Sequence, residues 1–171
     1  MILVGVMGSG KTAVGGYLAR ELGWEFIDTD LLVEKQAGKT IAELFESEGE
    51  EAFRELEERV VIDSLGGVSG RGRVVSLGGG AVTSDKVASR LDKEPLVFLL
   101  DIDVETAFRR SRTGTRPLVQ DRAGFSRLLA ARQQAYTGHA KFIVDTRGKG
   151  IKVVAGEIIE VIGRSRGAGL A

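Results

Sequence analysis

Residues 2–12 carry the sequence ILVGVMGSGKT, and this stretch decides the fold. Three apolar residues, typical of a buried strand, run into Gly-x-x-x-x-Gly-Lys-Thr at residues 5–12, and a helical pattern follows over residues 12–22. Glycines at this spacing let backbone N–H groups wrap around a phosphate, and the start of the following helix adds positive potential. Because the motif stands between a strand and a helix, it predicts a nucleotide-binding loop more strongly than a plain glycine-rich turn.

The loop also predicts a cofactor set. Gly8, Ser9 and Gly10 would supply the backbone around the phosphates. Lys11 is a point charge for the β- and γ-phosphates, and Thr12 offers a hydroxyl to Mg²⁺. The motif therefore indicates ATP and Mg²⁺ and leaves the acceptor of any phosphoryl group open.

Short apolar runs alternate with helical patterns along the rest of the chain. The runs are near-continuously apolar, as parallel strands covered on both faces are, and they occupy residues 2–4, 24–27, 74–77, 96–100 and 142–144. Helical patterns lie at residues 12–22, 48–65, 125–136 and 153–162, with expected end residues at Gly23, Thr40, Ser84 and Asp103. This alternation predicts an α/β layered fold with a parallel sheet, whose ligands bind at the carboxyl ends of the strands.

Length and composition narrow the function. The 171 residues fit one domain, 1–171, and no linker divides them. With no cysteine and a single histidine, His139, a cysteine zinc site, thiolate chemistry and a two-histidine metal motif are excluded. Basic and acidic residues number 24 each, which argues against broad binding to nucleic acid or membrane surfaces. With no apolar run of spanning length and no basic leader before the motif, we expect a cytoplasmic protein.

Two aspartates follow the second strand pattern. Asp28 and Asp30 project to the same side if the strand persists, so one could hold Mg²⁺ through water and the other could bond an acceptor hydroxyl. Aspartates at such positions are also common as N-caps and turn formers, and Asp30 could cap a helix that begins at Leu31. The residues alone leave these alternatives balanced.

A long acidic helix and a triple glycine raise two further alternatives. Arg54 could pair with nearby glutamates on its own helix or bind an anion, and from the pattern alone the ion pair is favoured. Gly78, Gly79 and Gly80 follow the strand at residues 74–77, where they form either a flexible turn or a surface that another group approaches closely.

A polar, arginine-rich segment at residues 111–124 is predicted to be a mobile loop. Arg109, Arg110, Arg112 and Arg116 lie in or just before it, without acidic neighbours, and this favours a cluster facing phosphate over a solvated basic surface. Arg132, four residues before Tyr136 on the next helix, could reach a second anion.

Six motifs follow one another along the chain: GVMGSGKT at residues 5–12, DTD at 28–30, IAELFESEGEEAFRELEE at 41–58, LGGG at 77–80, RPLV at 116–119 and RQQAY at 132–136. In this combination and order they resemble the shikimate kinase family, over nearly the whole chain. The resemblance implies a five-stranded parallel sheet with helices on both faces, a substrate-binding helical region at about 31–62 and a lid at about 111–124. It also implies transfer of the γ-phosphoryl of ATP to the 3-hydroxyl of shikimate, by a monomer.

Site residues carry over from the resemblance one by one. Lys11 and Thr12 would hold phosphates and Mg²⁺, and Asp28 would stand at the metal. Asp30 would bind the shikimate hydroxyls, while Arg54 and Arg132 clamp its carboxylate. The backbone of Gly78, Gly79 and Gly80 would line the same site. Arg116 would contact the transferred phosphate, and Arg109 or its neighbour Arg110 would pack on adenine.

Two alternatives stay open beside this one. A gluconate or nucleoside-monophosphate kinase shares the phosphate loop, but a neutral sugar needs no pair of carboxylate-binding arginines, and a nucleotide acceptor needs groups that recognise the base. A nucleotide-gated switch would need a partner surface that the sequence does not display. Two arginines and one aspartate match an acceptor that carries a carboxylate and hydroxyls.

Overall fold

The computed structural model of the protein describes residues 1–66, 72–111 and 121–167. Five strands form one parallel sheet in the order β2-β3-β1-β4-β5. The strands are β1 (Ile2–Val4), β2 (Glu25–Asp28), β3 (Arg73–Ser76), β4 (Val97–Asp101) and β5 (Phe142–Asp145). The helices are α1 (Lys11–Leu22), α2 (Thr29–Ala37), α3 (Ile41–Gly66), α4 (Asp85–Leu91), α5 (Val104–Ser111), α6 (Arg122–His139) and α7 (Ile151–Gly167), with a 3₁₀ turn at Ala81–Thr83. The predicted α/β fold with a five-stranded parallel sheet is confirmed.

Each face of the sheet has its own apolar core, because successive side chains of a strand point to opposite faces. On one face, Leu3 and Phe98 pack with residues of α1 and α7 such as Leu18 and Ile158. On the other face, Ile2 and Val4 belong to a cluster that includes residues of α4 and α6. The near-continuous apolar strands therefore follow from burial on both sides.

Most predicted helix ends are confirmed. Gly23 ends α1 in the left-handed conformation, with φ of 65°. Thr40 and Glu43 form the reciprocal capping box, in which the backbone N–H of Thr40 donates to Glu43 Oε2 at 2.7 Å and the N–H of Glu43 donates to Thr40 Oγ1 at 3.2 Å. Ser84 caps α4 and Asp103 accepts from the N–H of Thr106 at the start of α5.

Several element boundaries differ from the predictions by one or a few residues. The second strand begins at Glu25 instead of Trp24 and extends to Asp28. The predicted helix over residues 48–65 is the larger part of α3, which is interrupted at Gly49, where φ is 86° and ψ is 174°. Only glycine adopts this conformation without strain, so the chain changes direction there and Phe45 returns to contact Phe53 at a ring distance of 4.7 Å.

The carboxyl ends of β1, β2 and β3 lie at one edge of the sheet. The phosphate-binding motif, the DTD triplet and the triple glycine follow these three strands in turn. Of the predicted lid at 111–124, residues 112–120 lie outside the described residues, and with them Arg112 and Arg116. None of the helices in the described ranges is long and apolar enough to cross a membrane.

Candidate active site

The phosphate-binding motif forms a tight loop between β1 and α1. Gly8 has φ of 82° and Gly10, the residue before α1, has φ of 96°. A Cβ on Gly8 would also collide with the carbonyl oxygen of Ala107 in α5. Both glycines are therefore required by local geometry, and the loop surrounds the N-terminal end of α1, where phosphates bind.

Lys11 folds back over this loop. Its Nζ donates to the carbonyl oxygens of Gly5 at 2.8 Å and Val6 at 3.1 Å, and the residue is 7% exposed. The amine thereby stands beside the loop on which a phosphate would sit, held by neutral carbonyls that a phosphate outcompetes for a cation.

A cavity of about 510 Å³ opens in front of the loop. Its lining includes the predicted residues Gly8, Gly10, Lys11, Thr12 and Asp30. Ser9, also predicted, does not line it. This residue is 1% exposed, its N–H donates to Val6 at 3.2 Å, and its Oγ finds no hydrogen-bond partner within the described residues.

Arg109 and Arg110 lie near the end of α5. Both Arg109 and Arg110 are exposed, and Arg110 lines the cavity together with Ser111, while Arg109 does not. Of the two candidates for the adenine contact, the structure thus brings Arg110 to the phosphate-binding cavity. Arg116 lies outside the described residues.

Thr12, which lines the cavity, contacts Asp28 at the end of β2. Thr12 Oγ1 donates to Asp28 Oδ2 at 2.6 Å. A hydroxyl and a carboxylate oxygen in contact suit Mg²⁺, which takes few protein oxygens and completes its shell with waters and substrate phosphates. This small donor set is all that such an ion needs, and the described residues contain no cluster of three or more acidic, histidine or cysteine ligands.

Asp28, and not Asp30, caps the second helix. Oδ1 of Asp28 accepts from the backbone N–H of Asp30 at 3.0 Å and of Leu31 at 3.4 Å, and α2 begins at Thr29. The alternative in which Asp30 caps a helix starting at Leu31 is therefore wrong. The helix begins two residues earlier than that alternative requires, which places Asp30 in its first turn, where it lines the cavity.

A second, smaller cavity adjoins the first. Met7 and Asp30 line both. The lining of the second cavity combines apolar residues with polar ones: Ile41, Phe45 and Phe53, together with Arg54, Glu57, Arg132, Gly79 and Gly80. A ligand here would meet both apolar and charged groups, as a ring with polar substituents requires.

Arg54 forms the ion pairs of its first interpretation, and binding of an anion stays a prediction. Its Nε and Nη2 donate to Glu50 Oε1 at 3.3 and 3.1 Å, and its Nη1 donates to Glu57 Oε2 at 2.6 Å. The guanidinium forms the predicted ion pairs within its helix and still lines the second cavity. The ion pairs hold it in place, which favours recognition of an anion by a pre-oriented donor.

Arg132 approaches the same cavity from α6. Arg132 is 8% exposed, and its Nη1 donates to the carbonyl oxygen of Gly79 at 3.3 Å. Tyr136, one helical turn later and 1% exposed, donates to the same oxygen at 2.6 Å. The spacing Arg-x-x-x-Tyr therefore places both side chains on the face of α6 that covers the triple glycine.

The triple glycine is a surface on which charged side chains lie. A Cβ on Gly78 would fall 2.5 Å from Asp30 Oδ1 and 2.6 Å from Glu57 Oε1. A Cβ on Gly80 would collide with the guanidinium of Arg54. Other groups do approach this backbone closely, and they are the site's own side chains; its contact with a substrate stays a prediction. Gly78 itself lies beneath them and does not line the second cavity.

Glu57 is the site residue that sequence reasoning left without a role. It is 3% exposed, and burial raises the pKa of its carboxyl above the usual range, opposed by the neighbouring charge of Arg54. Its position three residues after Arg54 was the available signal. Only the packing of α3 against the glycines shows that the side chain faces inward.

Comparison with known proteins agrees with this geometry. The sequence profile of the shikimate kinase family matches residues 7–163. The shikimate kinase of Moorella thermoacetica is 41% identical over 166 residues, which cover 95% of this chain and 93% of that protein.

Solved structures give the same result. A shikimate kinase from Acinetobacter baumannii in complex with shikimate superposes with a TM-score of 0.90 at 34% identity, over 96% of this chain and 92% of that one. A gluconokinase from Sinorhizobium meliloti, with a TM-score of 0.55 at 18% identity over 95% of this chain and 90% of that one, shares the fold alone. By profile, relatives and structure together, the chain belongs to the shikimate kinase family.

Proposed function

We propose that this protein transfers the γ-phosphoryl group of ATP, with Mg²⁺, to the 3-hydroxyl of shikimate, giving shikimate 3-phosphate and ADP. One observation carries the proposal: Asp30 lines both the cavity in front of the phosphate-binding loop and the smaller cavity that contains Arg54 and Arg132. A phosphoryl donor and a carboxylate-bearing acceptor would meet at that residue.

The donor side rests on the loop and the start of α1. The backbone between Gly8 and Lys11 would surround the phosphates, and Lys11 would leave the carbonyls of Gly5 and Val6 for the β- and γ-oxygens. Thr12 and Asp28 would hold Mg²⁺, which neutralises charge on the phosphates. Arg110 lines the same cavity and would pack on adenine.

The acceptor side rests on three charged residues. Arg54 and Arg132 would bind the carboxylate of shikimate, with Gly79 and Gly80 beneath the ring and Phe45 against it. Asp30 would accept a hydrogen bond from the 3-hydroxyl. As the hydroxyl oxygen bonds to the γ-phosphorus, the bond from that phosphorus to the bridging oxygen of ADP breaks, and the hydroxyl proton passes toward Asp30.

Two further parts of the proposal come from the resemblance alone. Arg116 would contact the transferred phosphoryl group, and residues 111–124 would close over the site to exclude water. A monomer is proposed as well, and this too comes from the resemblance.

The test is ADP formation by the purified protein with ATP and Mg²⁺, alone and with shikimate, gluconate or a nucleoside monophosphate. We expect turnover to require shikimate, with a product whose phosphate ester at the 3-position is identified by ³¹P and ¹H NMR. Turnover with gluconate or a nucleotide in place of shikimate would reassign the acceptor. Slow ADP formation that is indifferent to every acceptor would favour the nucleotide-gated switch.

A further inference from the structure

Thr29 is a buried threonine at the first position of α2, between the two aspartates of the DTD triplet. It is 0% exposed. Its Oγ1 accepts a hydrogen bond from the backbone N–H of Gly78 at 2.9 Å, inside the protein and across 49 positions of sequence. The bond joins the start of α2 to the loop that follows β3.

Gly78 lies next to two carboxylates that line the second cavity, those of Asp30 and Glu57. The position that a Cβ would take on Gly78 is in contact with the carboxylate oxygens of Asp30 and Glu57, at 2.5 and 2.6 Å. With so little space between them, a small rotation of this peptide moves the surface on which both carboxylates lie.

The next residue is held from the opposite side. The carbonyl oxygen of Gly79 accepts from Tyr136 at 2.6 Å and from Arg132 at 3.3 Å. Donors from α6 thus hydrogen-bond to Gly79, and the hydroxyl of Thr29 hydrogen-bonds to Gly78. Glycines carry no side chain to fix their own position and have the widest conformational freedom, so these contacts decide where the segment lies.

We propose that Thr29 is a positioning residue of the acceptor site, which fixes the Gly78 peptide and thereby the placement of the Asp30 and Glu57 carboxylates. The role rests on the proposed function and adds to it a residue that touches neither substrate. It follows from chemistry: only an oxygen at this position can accept from the buried amide, and an amide left without an acceptor rotates toward water or another partner.

The experiment compares three variants of Thr29 in steady-state kinetics with shikimate and ATP varied separately. Thr29→Val keeps the shape and removes the acceptor oxygen, and Thr29→Ser keeps the oxygen. We expect Thr29→Val to lose about tenfold or more in kcat/KM for shikimate, the scale of one buried polar group left unpaired, with the KM for ATP within about twofold of wild type. Thr29→Ser should recover most of that loss. Thr29→Ala, which leaves room for repacking, should behave as Thr29→Val does and serves if the valine variant fails to fold.

A stability control separates positioning from general damage. Ile158→Val shortens a fully buried side chain of α7 in the core on the opposite face of the sheet, away from the glycines. It should lower the thermal midpoint without changing the ratio between the two kinetic constants. The proposal is overturned if the hydroxyl-free variants stay within about twofold of wild type for shikimate, or if they lose ATP and shikimate affinity equally. Wild-type protein without shikimate-dependent turnover would instead refute the proposed function, and this role with it.

Discussion

The carboxylates of Asp30 and Glu57 converge on Gly78 from two different helices. Asp30 Oδ1 and Glu57 Oε1 lie 2.5 and 2.6 Å from the point where a Cβ of Gly78 would stand. Both carboxylates line the second cavity, together with the cations Arg54 and Arg132. The two carboxylates can occupy these positions only because Gly78 has no side chain.

Substitution of Gly78 tests this condition. Gly78 does not have a positive φ, so Gly78→Ala introduces no backbone strain and acts through its methyl group alone. We expect the methyl to displace the two carboxylates, lowering kcat/KM for shikimate by about tenfold or more and lowering stability by about 1–3 kcal/mol. Michaelis constants measured separately for ATP and shikimate, with urea unfolding, check both effects.

A matched glycine in α7 provides the control. A Cβ on Gly156 would meet nothing within 4 Å. Gly156→Ala should therefore stabilise the helix by about 0.5–1 kcal/mol and leave the kinetics unchanged. Equal kinetics in the Gly78 and Gly156 variants would show that the carboxylates do not depend on the glycine surface.

The sequence predicted those parts of the site that local pattern determines. The phosphate loop was predictable because one contiguous motif between a strand and a helix specifies it. Asp28 could not be separated from Asp30 as the cap, since the choice depends on which residue ends β2. The inward direction of Glu57 depends on how α3 packs against a loop more than twenty residues away, and no local pattern contains that packing.

The break at Gly49 has a similar reason. A glycine followed by glutamates is compatible with a continuous helix, and only the measured φ and ψ show that the chain departs from it. The fold itself was predictable because the strands of a parallel sheet are buried on both faces and therefore appear as short apolar runs. These runs alternate with helical patterns along the chain.

Buried Glu57 predicts a pH dependence of stability. Burial raises the pKa of Glu57 in the folded protein above its unfolded value of about 4.5. Its contribution to stability is therefore fully present below the unfolded pKa and is lost as the pH rises through the folded pKa. We expect the unfolding free energy of the wild type minus that of Glu57→Gln to fall as the pH increases from about 4.5. Urea denaturation of both proteins over this range measures it, and a difference that rises with pH would contradict the prediction.

The two arginines of the second cavity should govern acceptor affinity. Loss of one charge-assisted hydrogen bond costs about 1.5–3 kcal/mol, so Arg54→Ala and Arg132→Ala should each raise the KM for shikimate by about tenfold or more and leave ATP binding nearly unchanged. Arg54→Ala also removes the cation beside Glu57 and should melt earlier. Arg59→Ala, an exposed position on the same helix, is the control. Unaltered shikimate affinity in both site variants would refute the carboxylate clamp.

Lys11 should be essential for turnover. Lys11→Ala removes the charge that would act on the β- and γ-phosphates, and we expect kcat to fall by at least about a hundredfold. The fold should survive, because the Lys11 side chain bonds to loop carbonyls and belongs to none of the three apolar clusters. Circular dichroism and ADP formation on the same preparation test both statements, with the exposed Lys35→Ala as control. A variant with near-normal kcat would remove the basis for the donor site.

Asp30 lines both cavities, and its charge can be removed without changing the helix cap. The cap of α2 is Asp28, whose Oδ1 accepts from two backbone N–H groups. Asp30→Asn keeps the shape of the side chain but loses the negative charge that would bond the acceptor hydroxyl and receive its proton. We expect normal ATP binding and a loss of activity of about a hundredfold or more, the usual scale for a positioned acid–base group.

The fair control for Asp30→Asn is an aspartate in the same helical environment. Asp85 is exposed in the first turn of α4, as Asp30 stands in the first turn of α2, so Asp85→Asn loses the same favourable interaction with a helix N-terminus. That interaction is worth about 0.3–1 kcal/mol, and both variants should show a similarly small change in unfolding free energy. Only Asp30→Asn should lose kcat with shikimate. If it melts early yet retains kcat, Asp30 serves the stability of α2, and the acceptor hydroxyl must give its proton to another group or directly to water.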